Sequence, residues 1–113
     1  MSKNIYVNAT AFNNIRNREK TIEGRIKKGL FNHILIGEIV DFICNKTNTK
    51  CAAKITKINT YNSVFEFLKN EKLYKIIPYC NDYNNALNIY KKHYGEKLEN
   101  KTFKFIAIHI HLL

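Results

Sequence analysis

Lys20, Glu23 and Arg25 fall within the stretch REKTIEGRIKKG, residues 18–29, in which seven of twelve residues are charged. Two cations around one carboxylate have a definite chemistry. The cations can clamp a phosphate or the polar edge of a base, and the carboxylate can orient the lysine or accept a proton. The competing reading is a solvated ion-pair cluster, worth under about 1 kcal/mol per pair. Spacing bears on the choice. In KTIEGRI, Ile22, Gly24 and Ile26 alternate with Thr21, Glu23 and Arg25. That alternation predicts a strand with Thr21, Glu23 and Arg25 on one face and Lys20 just ahead of it.

The rest of the chain must position that strand. KNIYVNA alternates apolar residues around Tyr6 and reads as an opening strand. TAFNNIRNREK, with Thr10 as N-cap and Phe12 and Ile15 three apart, reads as a short helix. KKGLFNHILIGE reads as a loop with two glycines. EIVDFIC and CAAKITKIN are two strands joined by the Asn- and Thr-rich turn NKTNTK, a hairpin. In NSVFEFLKNEKLYKIIP, Ser63 and Glu66 form a capping box. Val64, Phe65, Leu68 and Leu73 give a helical face that ends at Pro78, the sole proline. DYNNALNIYKKHYG places Tyr83, Ala86, Leu87, Tyr90 and Tyr94 at helical spacing, with Gly95 as C-cap. KTFKFIAIHIHLL closes as a long strand. Several non-local strands with few long helices indicate an α+β fold.

Composition bounds the function. The 113 residues suit one domain, residues 1–113, and 45% hydrophobic content with seven Tyr and seven Phe supplies a core. No run approaches the roughly 20 apolar residues of a membrane helix, and the N-terminus lacks a signal-peptide pattern. The expectation is a soluble cytoplasmic protein with no membrane partner. Cys44, Cys51 and Cys80 are odd in number and lack CxxC spacing, which argues for free thiols. The net charge is +10, with eleven Lys/Arg against four Asp/Glu in residues 1–60. Such a basic protein points first to an anionic partner, nucleic acid above membrane. Solubility and a Lys-rich genomic base composition are the alternative sources of that charge.

KTIEGR resembles the signature of the ASCH domain family, Gly-x-Lys-x-x-Glu-x-Arg, with Lys20, Glu23 and Arg25 on the pattern. IGEIVDF, the helix ending in proline, ALNIYKKHY and FIAIHI resemble the later family elements in order, over nearly the whole chain. The resemblance implies a PUA-like small β-barrel of about six strands with flanking helices, and a cleft into which the motif side chains point. It also implies RNA binding. Two positions depart from the family. The motif glycine falls on Arg18, which would make the cleft lip more basic or alter the preceding turn. ASCH-like amidohydrolases acting on acetylcytidine keep a threonine nucleophile where this chain has Glu23, and Thr21 lies two positions earlier. Other relatives are described as ribonucleases.

Further side chains are candidates from type and spacing. Tyr61, Tyr74, Tyr79, Tyr83, Tyr90 and Tyr94 interleave with Lys72, Lys75, Lys91 and Lys92. Single-stranded bases stack on such rings while lysines follow phosphates. Most of these tyrosines read as core, and Tyr61 is the candidate cleft ring. His109 and His111 share a strand face, yet no third ligand has metal spacing, so no metal and no cofactor is expected.

The reading is a small RNA-binding module whose basic cleft recognises a nucleotide or single-stranded RNA. Lys20, Thr21, Glu23, Arg25 and Tyr61 are its contact residues. Lys20 and Arg25 would meet phosphate or base, with Glu23 holding them or reading an amino group. The alternative is a hydrolase acting on RNA or a modified nucleoside, with Lys20 and Glu23 catalytic. A protein-interaction adaptor is a distant third.

Overall fold

The computed structural model describes residues 3–99 and 101–113. Alternation in the opening segment gives β1 (Lys3–Val7), which buries Ile5 and Val7 and exposes Asn4 and Tyr6. A single residue then separates it from α1 (Ala9–Arg16). That residue, Asn8, caps the helix by accepting from the Ala11 N–H at 2.8 Å. Thr10, the expected cap, lies inside the first turn instead, because the extended backbone of Asn8 already turns strand into helix.

β2 (Ile22–Ile26), β3 (Ile39–Cys44), β4 (Lys50–Tyr61) and β5 (Phe105–Leu112) complete one sheet in the order β1-β3-β4-β5-β2. Only β1–β3 is parallel; the other pairs are antiparallel. β4 is long enough to pair with β3 through its first half and with β5 through its second, and a bulge between Ile55 and Lys57 bends it between them. The sheet curls into a half-barrel of five strands, one fewer than the family resemblance implied. Its edges, β1 and β2, face each other across an unpaired seam. Arg25 Nη2 crosses it, donating to the Tyr6 carbonyl at 2.7 Å.

β5 is buried on both faces, which is why FIAIHI reads as a nearly unbroken apolar run. Ile106, Ile108 and Ile110 face the hollow of the curl with Ile5, Phe42, Ile55 and the α1 residues Phe12 and Ile15. Phe105 and Ala107 face the opposite core, with Ile22, Ile26 and the helices that follow β4. Those helices are α2 (Val64–Asn70), α3 (Leu73–Ile76) and α4 (Tyr83–Tyr94). The expected single helix from Ser63 to Pro78 is therefore broken at Glu71. Its backbone is extended, and its carboxylate is drawn to the sheet by Asn59 Nδ2 at 2.8 Å and His109 Nε2 at 2.9 Å. The capping box forms, Ser63 accepting from the Glu66 N–H while Glu66 reaches back to Asn62 N. The buried stripe runs through Val64, Phe67 and Leu68; Phe65, expected there, lies one position off it and is exposed. None of the described helices is long and apolar enough to cross a membrane.

Gly24 fixes how close these layers come. A Cβ there would stand 2.5 Å from the Phe67 ring and 2.9 Å from the Tyr90 hydroxyl. Phe67 is fully buried against Phe105 and Tyr90 and has nowhere to retreat. Gly24→Ala should therefore cost about 1–3 kcal/mol in denaturant unfolding through overpacking. An unchanged midpoint would show the layer spacing to be softer than this. At Arg18 the backbone is left-handed, φ 69°, which accounts for a glycine in the family pattern. The guanidinium turns away to the Leu112 carbonyl at 3.0 Å, so Arg18 shapes the turn and not the lip of the cleft. Removing about 1 kcal/mol of left-handed strain should offset loss of that exposed bond. Arg18→Gly is expected to be neutral or up to about 1 kcal/mol more stable, and a clear loss in the same unfolding experiment would contradict this.

Candidate functional site

The inward face of β2 carries Glu23 and Arg25, where the other strands of the curl present apolar side chains. Their partners across the pairing are Ile108 and Ile106, so the charges stand beside an apolar floor. Lys20 enters from the turn ahead of β2. Its Nζ lies 3.2 Å from Glu23 Oε1, 2.9 Å from the Ile22 carbonyl and 2.6 Å from the Ile76 carbonyl. Two carbonyls take its hydrogen bonds and Glu23 its charge, so this lysine is held by the protein on every side that these contacts describe. Glu23 Oε2 accepts from Arg25 Nε at 2.7 Å and lies 2.7 Å from Nη2. Arg25 also rests over the Phe31 ring, 5.1 Å from its centroid.

The side chains of Lys20 and Glu23 are 6% and 8% exposed, and that of Arg25 20%. Burial pulls Lys20 below the ordinary lysine range, and Glu23 offsets this in part. Burial would raise Glu23, but Lys20 and Arg25 outweigh it and hold the carboxyl below the usual range. Burial also works against Arg25, and the Glu23 charge prevails, pushing it up. Desolvating each ion costs several kcal/mol, so the cluster adds little net stability; removing one member, however, strands the others without water.

The triad borders a cavity of about 420 Å³ at the seam, a size that suits a nucleoside-scale ligand. Tyr6, Asn8 and Asn14 line one side; Tyr90, His93 and Tyr94 of α4 line the other. The Tyr90 and Tyr94 rings stack, 6.3 Å apart and 3° from parallel. Burial raises both phenols, Tyr90 well above its ordinary value, so they act as neutral donors and surfaces.

Among the residues singled out by sequence, the structure brings Lys20, Glu23 and Arg25 together. Thr21 precedes β2 and works through its backbone: its N–H donates to the Lys75 carbonyl and its carbonyl accepts from Ile110 N. It does not line the cavity. Tyr61 is corrected as a cleft ring. It packs against Phe67 outside the cavity, and its hydroxyl donates to Glu71, in a cluster with Asn59 and His109. Burial and Glu71 push this phenol up to about 12. Tyr61 thus pins the α2–α3 break to the sheet. His109 faces Glu71, and no three His, Cys, Asp or Glu among the described residues converge to hold a metal. Tyr6, Asn14 and His93 were not anticipated. Only the helical row containing Tyr90 and Tyr94 offered a signal in sequence, and it reads equally as core.

No family model matches the chain, and no curated protein matches it significantly. Solved structures do. The crystal structure of hypothetical protein PH0355 is similar over 100% of both chains, with TM-score 0.87 and 25% identity. The solution structure of protein PF0455 from Pyrococcus furiosus matches 100% of this chain and 98% of its own, with TM-score 0.78 and 26% identity. The ASCH domain from Lactobacillus crispatus matches 97% of this chain and 78% of its own, with TM-score 0.57 and 13% identity. The chain has an ASCH-type fold, in agreement with the motif on β2.

Replacing Glu23 by Gln keeps the shape but leaves two cations around a neutral amide. A loss of about 3–5 kcal/mol is expected at neutral pH. Because the folded carboxyl titrates below its ordinary value of 4.5, its contribution is complete above that pH. The contribution fades as pH falls through the lower folded value. Thermal melts from neutral to acid pH should therefore show less acid sensitivity in Glu23→Gln than in the wild type. A variant as stable as wild type with an identical pH profile would show the triad to be solvated.

Proposed function

We propose that the protein is a small RNA-binding module whose seam cavity receives one nucleotide of a single strand. The observation that carries this reading is the buried triad opening into a nucleoside-sized cavity walled by aromatic and amide side chains. Arg25 is the contact cation: with Nε and Nη2 committed to Glu23 and Tyr6, it is aimed by the protein before any ligand arrives. Lys20 is a positioning residue, since its two hydrogen bonds and its ion pair are made within the protein. Glu23 holds both cations. The amides of Asn8 and Asn14 suit base edges, and the α4 tyrosines suit ring faces. A net charge of +10 favours the approach of a polyanion.

The same geometry weighs against Glu23 as a general base. A carboxylate held low by two cations is a weak proton acceptor, and an effective base titrates near the working pH. Binding is therefore favoured over hydrolysis of RNA or of a modified nucleoside.

Fluorescence anisotropy with labelled single-stranded RNA tests the reading. Affinity should fall linearly on a log–log plot against salt, with a slope of about −0.7 per phosphate contacted. Arg25→Gln, checked for folding by circular dichroism, should weaken binding by about tenfold or more, charged hydrogen bonds being worth about 1.5–3 kcal/mol. RNA recovered from the mixture should be intact. Absence of binding at low salt would sink the reading, and RNA cleavage lost in Glu23→Gln would favour the enzyme.

A further inference from the structure

A second hollow adjoins the seam cavity. It has a volume of about 520 Å³ and lies between the loop after Pro78 and the outer face of α4. Ile89 lines both hollows, while Ile77 and Pro78 line the first and Tyr79 the second, so the two are neighbours on either side of Ile89. On α4, Asn85, Ile89 and His93 form a row at four-residue spacing that runs from the outer hollow into the seam cavity. Asn88 and Lys92 form the parallel row along the outer hollow.

Tyr79 dominates this surface. It is 85% exposed, and no other ring or cation packs on it among the described residues. Its backbone is left-handed, φ 69°, a conformation that disfavours a bulky residue. The Glu19 carboxylate beside its hydroxyl raises the phenol above its ordinary value. An exposed ring is thus presented to solvent at a local conformational cost. Lys92 has no ion-pair partner among the described residues and is exposed beside the ring. Two acids lie nearby: Asp82 is committed as the cap of α4, accepting from Asn84 N at 2.9 Å, and Glu19 stands at the Tyr79 hydroxyl. Bare ring, amides and a cation in one groove, next to the seam cavity, match a nucleotide better than an apolar peptide.

We infer that the outer hollow is a second nucleotide subsite, in which the next base of a single-stranded RNA stacks on Tyr79 and its phosphate meets Lys92. The inference rests on the RNA-binding reading and extends it to a track of at least two nucleotides across Ile89. Its class of ligand is a single-stranded oligonucleotide, and a mononucleotide would fill the seam cavity alone.

Titration calorimetry with a mononucleotide and with a tetranucleotide of the same base tests it. Wild type should bind the tetranucleotide about tenfold or more tightly than the mononucleotide. Tyr79→Asn, which removes the ring while tolerating the left-handed backbone, should abolish most of that gain and leave mononucleotide affinity unchanged. Tyr79→Phe should retain it, and Lys92→Ala should reduce both the gain and its salt dependence. Both positions are exposed, so folding is not at stake. If Tyr79→Asn binds the tetranucleotide as wild type does, or if affinity does not grow with length, the second subsite is overturned while the seam reading stands. If neither ligand binds at low salt, the seam reading fails with it.

Discussion

Glu23 lies between Lys20 and Arg25 on the inner face of an edge strand, with its carboxylate shared between two cations and almost no access to water. Each of these ions is tied to a different part of the protein. Lys20 reaches the Ile76 carbonyl at the end of α3, and Arg25 reaches the Tyr6 carbonyl on β1. The triad therefore joins β2, the helical layer and the far edge of the sheet at one point. A hydrophobic cluster in the same place would close the seam more cheaply, because it carries no desolvation cost. It would also fill the space that the charged groups leave open. The arrangement exchanges stability for a polar cavity at a fixed address.

The fold around it serves that exchange. A sheet of this order closes only partly, since β1 and β2 are its unpaired edges. The bulge in β4 bends the sheet, and its edges face each other across the seam. Gly24 then lets Phe67 and Tyr90 press directly on the back of β2, which holds the strand carrying the triad against α4. Tyr61 and Glu71 do comparable work from the other side. They break the helical segment after residue 70 and so set where α3 presents the Ile76 carbonyl. Residues outside the cavity thus decide the geometry inside it.

Much of this was legible in the chain because it is local. Period-two alternation around Gly24 exposed β2, and the motif on it selected Lys20, Glu23 and Arg25 from seven neighbouring charges. The ASCH-type fold followed from that motif and from element order. What sequence could not reveal depends on closure. Tyr6 meets Arg25 only because the sheet curls, and α4 supplies His93 and Tyr94 only because it packs across the seam. Tyr61 was misplaced for a related reason. A ring beside a hairpin end looks like a stacking surface until Glu71, ten residues on, is known to leave its helix and bind the hydroxyl. Tyr79 was one tyrosine among several, distinguished by an exposed ring on a left-handed backbone that no pattern in the sequence announces.

The central claim is that a preformed triad presents Arg25 to a nucleotide in the seam cavity. The most direct test is a nuclear magnetic resonance titration of the labelled protein with a mononucleotide, following backbone amides together with the Arg25 Nε–Hε signal. The account predicts a resolved Arg25 Nε–Hε resonance before ligand is added. It also predicts shifts that concentrate at Tyr6, Asn8, Gly24, Arg25 and Tyr94. Shifts centred instead on Tyr61, Glu71 and His109, or none at saturating nucleotide, would contradict it.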